Sequence, residues 1–139
     1  MRFFFDRTLP PFLSKAVIEI LQGAGKAGDH SRRRYNPDPG DDVWMRELGN
    51  EGGWVVVTGD QRIFKNPAER KIWQEAGLTT FFLQGAWMHT PFLDQTWRLM
   101  RWLPRFIDIA EEIDAGTGLS VPLRWHGGKL KQLYRPRTS

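Results

Sequence analysis

Two short runs in this chain, Arg2-Phe3-Phe4-Phe5-Asp6 and Trp54-Val55-Val56-Val57-Thr58-Gly59-Asp60, are apolar at successive positions rather than at alternate ones. A strand with one wet face alternates. A strand covered on both faces does not, and aromatic and β-branched residues suit that setting. Such strands belong to a mostly parallel sheet with helices on both sides. In open sheets of that kind, ligands bind outside the carboxyl ends of the strands. Both runs end in an aspartate, so the sequence predicts two carboxylates at that edge.

The segments between and after these runs read as helices and one further buried strand. Leu13, Ala16, Val17, Ile20 and Leu21 follow helical spacing, with Thr8 as the predicted N-cap, Pro10-Pro11 in the first turn and Gly23 as the stop. Residues 23–40 read as loop or a short edge strand near His30–Tyr35. A helix is predicted from Asp41 or Asp42, with Trp44, Met45 and Leu48 inward and Gly49 at its end. Another runs from Pro67 through Ile72, Trp73 and Ala76 to Gly77. Thr80-Phe81-Phe82-Leu83 is the next strand. Thr90-Pro91 then opens a helix with Leu93, Trp97 and Met100 on one face, kinked or split at Pro104 and ended by Gly116 and Gly118. Val121, Leu123, Trp125, Gly127-Gly128 and Leu130 suggest a hairpin. The predicted fold is therefore an α/β three-layer sandwich with a central, mostly parallel sheet over residues 1–115. Residues 116–139 form a small basic hairpin appendage packed on or beside it.

With 139 residues the chain suits one domain, and its lack of cysteine excludes disulfides and thiolate metal sites. No stretch approaches a membrane span, and the first apolar run is cut by Asp6 and Arg7, unlike a signal peptide. A cytoplasmic protein without membrane partners is expected. The net charge of +4 is unevenly placed: Arg124, Lys129, Lys131, Arg135 and Arg137 lie in a tail without acids, and Arg32-Arg33-Arg34 is a second basic run. Basic patches bind polyanions by releasing counterions. Arg32, Arg33, Arg34, Lys129 and Lys131 are the predicted phosphate contacts.

Several motifs lead nowhere. Gly23-Ala24-Gly25-Lys26-Ala27-Gly28 spells G-x-G-x-x-G but follows a helix, whereas dinucleotide binding needs that motif between a strand and a helix. His30, His89 and His126 share no ligand spacing and read as surface or loop residues. Trp44, Trp73 and Trp97 sit at core spacing. Trp125, among basic residues, suits either a packed hairpin or base stacking. What remains is acidic: Asp6, Asp41 or Asp42, and Asp60, each at a strand's carboxyl end or a helix's amino end. Close carboxylates repel unless a cation lies between them, and hard oxygen donors suit Mg²⁺ or Mn²⁺.

Met1–Asp6 with Thr8-Leu9-Pro10-Pro11, Asp41-Asp42-Val43-Trp44 through Leu48, and Val55–Asp60 together resemble the PIN-like domains, including the VapC-type toxins of toxin–antitoxin pairs. Asn66-Pro67-Ala68-Glu69 and Ala76-Gly77-Leu78 extend the likeness over roughly residues 1–115. The resemblance implies a metal-dependent endoribonuclease using Mg²⁺ or Mn²⁺, an antitoxin partner, an RNA substrate and a homodimer. It implies Asp6, Asp41 and Asp60 as catalytic metal ligands, with Asp42 the alternative to Asp41. Two departures stand out. A further acid expected after the first helix is replaced by Ser31-Arg32-Arg33-Arg34-Tyr35, with Asp38 a loose substitute. Arg62 stands where related domains carry T-x-D-x-D. These departures leave a non-catalytic RNA- or partner-binding domain as the alternative. Asp6-Arg7-Thr8 also resembles the nucleophile strand of haloacid-dehalogenase phosphatases, but Thr8 replaces that family's second acid.

Overall fold

The computed structural model describes residues 1–136; Arg137, counted in the basic tail, lies outside them. The strands are β1 (Arg2–Phe5), β2 (Ala27–His30), β3 (Trp54–Thr58), β4 (Thr79–Leu83), β5 (Gly118–Val121) and β6 (Lys131–Tyr134). They form one sheet in the order β2-β1-β3-β4-β5-β6, parallel throughout except for β6. The helices are α1 (Pro11–Gly23), the single turn α2 (Ser31–Arg34), α3 (Asp41–Glu51), α4 (Pro67–Ala76) and α5 (Phe92–Glu112). Among the described residues, no helix is long and apolar enough to cross a membrane.

The unbroken apolar runs have the predicted cause. Phe3, Phe5, Val55, Val57, Phe81 and Leu83 point to a core shared with α1 and α5. Phe4, Val56 and Phe82, one residue out of phase, point to a second core with α3 and α4. The second core is a chain of edge-on rings: Phe4–Trp44 at 5.1 Å, Trp44–Trp73 at 5.8 Å and Trp73–Phe82 at 5.0 Å between centroids. Such contacts add to the burial of large apolar surfaces. The sandwich thus has three layers, with the sheet in the middle.

Several local expectations change. On α1 the buried face is Leu13, Ser14, Val17, Ile18 and Leu21, while Ala16 and Ile20 face solvent. Ile18 is drawn in by β2, where Gly28 leaves room: a Cβ there would lie 3.0 Å from Ile18 Cγ1. Thr8 does not cap α1, whose N-cap is Pro10. The edge strand precedes its predicted position, and His30 opens a helical turn. α5 runs unbroken through Pro104. Its buried face is Gln95, Leu99, Trp102, Leu103, Phe106 and Ile109, so Leu93 and Trp97 are exposed. The segment after residue 115 joins the main sheet: β5 pairs with β4, and β6 forms the antiparallel edge.

Gly49 does not end α3, which runs to Glu51 with Gly52 as its C-cap. A Cβ on Gly49 would lie 2.5 Å from the backbone carbonyl oxygen of Ala76, so glycine here permits the close crossing of α3 and α4. Gly49→Ala is therefore expected to destabilise the chain by about 1–3 kcal/mol despite alanine's better helix propensity. A lower urea midpoint would show it; a higher one would refute the close-packing argument.

Candidate active site

Asp6 is the first residue beyond β1, in register with the end of β3, because Phe5 pairs with Val57. Its carboxylate accepts hydrogen bonds from the Thr8 hydroxyl and the Thr8 backbone N–H on Oδ1, and from the Thr58 hydroxyl on Oδ2. Those hydroxyls also accept from the next loop: Thr8 Oγ1 from Gly59 N–H at 2.7 Å, and Thr58 Oγ1 from Asp60 N–H at 3.0 Å. The two threonines therefore stitch the ends of β1 and β3 together around one carboxylate. Burial pushes the Asp6 carboxyl up to about 6, opposed by the threonine hydrogen bonds and assisted by the nearby charge of Asp60. A cation would relieve that strain on the ionised form.

Asp60 caps the short 3₁₀ turn Gln61–Phe64, accepting from Arg62 N–H at 3.0 Å. Burial favours its neutral form, but hydrogen bonds and charge from Arg62 outweigh this and hold its carboxyl below the usual range. Arg62 Nη2 lies 2.5 Å from Asp60 Oδ2 and 2.6 Å from Asp41 Oδ2, and Nη1 lies 3.5 Å from Glu69 Oε1. Asp41 reaches this point from the first turn of α3, where it also accepts from Trp44 Nε1 at 3.0 Å. Asp42 instead lines a groove between α3 and α4 with Met45, Arg46 and Ile72. So Asp41 meets Asp60 through a guanidinium, and Asp42 stands apart.

This is less than a ready-made metal cage. Among the described residues, no three His, Cys, Asp or Glu side chains are grouped so as to hold an ion. Asp6 and Asp60 nonetheless suit a hard divalent ion that keeps its waters, since Mg²⁺ commonly binds through one or two carboxylates plus substrate phosphate. The donor set is two carboxylates, Asp6 and Asp60, with Asp41 tied to Asp60 through Arg62.

Sequence reasoning missed the placement of three residues. Glu69 is joined to the cluster through Arg62, and its place in the first turn of α4 gave no hint of that contact. Asp29, at the end of β2, accepts from Arg33 Nε at 2.7 Å and Nη2 at 2.8 Å, and from His30 N–H at 2.8 Å. His30 is buried rather than on the surface, its Nδ1 lacks a hydrogen-bond partner, and burial depresses its basicity. His89 and His126 are exposed, as predicted. Asp38, the loose substitute acid, pairs with Arg7 at 3.4 Å.

The basic residues divide. Arg33 is held by Asp29, and Arg34 by Glu47 and Glu51, so their charge is largely spent within the chain. Arg32, beyond β2, and Lys129 and Lys131, where β6 begins, are exposed. Because β6 is antiparallel, with Lys131 opposite Ser120, these lysines also sit at the carboxyl end of the sheet. Cations thus flank both sides of the acid cluster.

A model of the PIN-like domain family matches residues 1–85, more than half of the chain and all of β1 through β4. The chain belongs to the PIN-like domain family. The matched region holds Asp6, Asp41 and Asp60 and stops before α5, β5 and β6, so the PIN-like part supplies every acid of the cluster. No curated protein and no solved structure matches the chain.

Proposed function

We propose that this PIN-like protein is a metal-dependent endoribonuclease that hydrolyses RNA phosphodiester bonds. The observation that carries this reading is Asp6. A half-buried carboxylate gripped by two threonines at the carboxyl ends of adjoining parallel strands, beside a second acid, is costly to keep unless charge is to be placed there. Asp6 and Asp60 would hold Mg²⁺ or Mn²⁺, with Asp41 at the rim. Such an ion supplies charge neutralisation at the phosphate and a lowered pKa for water. Thr8 and Thr58 fix the Asp6 carboxylate in one orientation, so no reorganisation is needed when charge develops. Arg32, Lys129 and Lys131 suit the flanking phosphates. As in toxin–antitoxin pairs, an antitoxin partner is proposed to restrain the activity. Growth arrest on induction, relieved by co-expressing that partner, tests this role.

Arg62 favours a second reading, a PIN-like domain that binds RNA without turnover, because its guanidinium already neutralises Asp41 and Asp60. One assay separates the two. Purified protein and labelled single-stranded RNA are incubated with Mn²⁺, with Mg²⁺ and with excess EDTA. Cleavage in either metal, lost in EDTA and in Asp60→Asn, supports the nuclease. Binding without cleavage in either metal supports the second reading. Undiminished cleavage in EDTA removes the metal from the mechanism.

A further inference from the structure

Beyond the region matched to the family, α5 and the β5–β6 connection enclose a cleft of about 210 Å³. Its walls include Trp97, Arg98, Arg101, Arg124 and Trp125. Trp97 is 49 % exposed although apolar and large. Arg98 lies 4.5 Å from the Trp97 ring centroid, and Arg101 lies 4.7 Å from that of Trp125. Trp125 itself is held in place: its ring meets Trp102 at 4.7 Å, and Arg105 Nε donates to the nearby Gly128 carbonyl at 3.0 Å. None of Arg98, Arg101 and Arg124 forms an ion pair among the described residues, unlike Arg33, Arg34 and Arg62. Their charge is available to a ligand.

We propose that this cleft is a binding subsite for single-stranded RNA, in which bases stack on Trp97 and Trp125 while Arg98, Arg101 and Arg124 meet the phosphates. Arginine and tryptophan surfaces interleaved in this way match the alternation of charge and flat ring along a nucleic-acid strand. An acidic polypeptide would satisfy the arginines but leave the indole faces unused. Placement supports the same ligand. Trp125 follows β5 and the start of α5 follows β4, so the cleft shares the carboxyl end of the sheet with Asp6 and Asp60. The ends of β3 and β5 are two strands apart, about 10 Å at the usual strand spacing. The choice of RNA rests on the nuclease reading; the base-stacking cleft rests on residues outside it.

The test measures binding of labelled oligoadenylate RNA to the full chain in EDTA, by fluorescence anisotropy over a range of salt. Trp97→Ala is expected to weaken binding about tenfold. Arg124→Gln, a change at an exposed residue, is expected to reduce the slope of log affinity against log salt by about one. An abasic oligonucleotide of the same length should bind more than about tenfold more weakly than oligoadenylate to wild type, and that difference should shrink in Trp97→Ala, where Trp125 alone remains to stack. Wild-type affinity and slope in both variants would overturn the subsite. So would equal wild-type binding of the abasic strand, or of polyglutamate at matched charge, which would indicate a surface for any polyanion. Tryptophan-dependent binding with no cleavage in Mn²⁺ would support the subsite while sinking the nuclease. Cleavage with binding indifferent to both variants would do the reverse.

Discussion

Asp6→Asn is expected to abolish RNA cleavage while making the folded chain more stable at neutral pH. Folding raises the Asp6 carboxyl from the ordinary carboxylate range to about 6, chiefly by burial. The stability contributed by the protonated acid is fully present below the unfolded value, declines as the pH rises, and is lost above the folded value. A shift of this size corresponds to an upper figure of about 3 kcal/mol. Asparagine is uncharged at every pH, and the Thr8 and Thr58 hydroxyls can rotate to suit an amide. Urea midpoints of both proteins, metal-free, should therefore diverge between pH 4 and pH 6 and stay apart above it. Cleavage should fall a hundredfold or more, since an amide is a far poorer ligand for a hard cation. A stability difference that stays flat with pH would show that burial does not raise the Asp6 carboxyl. Gained stability and lost activity in one variant is the pattern expected of a residue kept for chemistry.

Much of this site was legible because it sits on elements that announce themselves. Phe3–Phe5 and Trp54–Thr58 admit one reading, covered strands, and the aspartates that follow fall at their ends by necessity. Pro67 and Gly77 bracket α4 through backbone constraints that are local to the sequence. Helix rotation was less legible. α1 has apolar residues on more than one side, and only the position of β2 decides that Ile18 is buried rather than Ile20. Similarly, the exposure of Trp97 depends on which face of α5 the sheet occupies. β5 and β6 were hidden because Gly118-Leu119-Ser120-Val121 carries a weak local signal, and its pairing partner β4 lies a whole helix away. Trp125 was visible as an aromatic among cations, but Trp97 and Arg101 come to it only through tertiary packing.

Arg62 shows most clearly how residue type can be read without its consequence. In the sequence it marks a missing acid; in the fold it is a positive charge placed among Asp41, Asp60 and Glu69. Its side chain is 55 % exposed, so it can leave that position at modest cost. Arg62→Gln is expected to tighten Mn²⁺ binding about tenfold, because the ion no longer competes with a guanidinium for the same oxygens. Without metal the variant should lose about 1 kcal/mol, the scale of a partly exposed ion-pair network. With saturating Mn²⁺ it should recover more stability than wild type does, since the gain grows with the ratio of free ion to its dissociation constant. Thermal unfolding across a Mn²⁺ titration reads both effects at once. At limiting Mn²⁺ the variant should also cleave RNA faster than wild type. Unchanged or weaker Mn²⁺ binding would mean that Arg62 organises the acids for the ion, and the competition argument would fall.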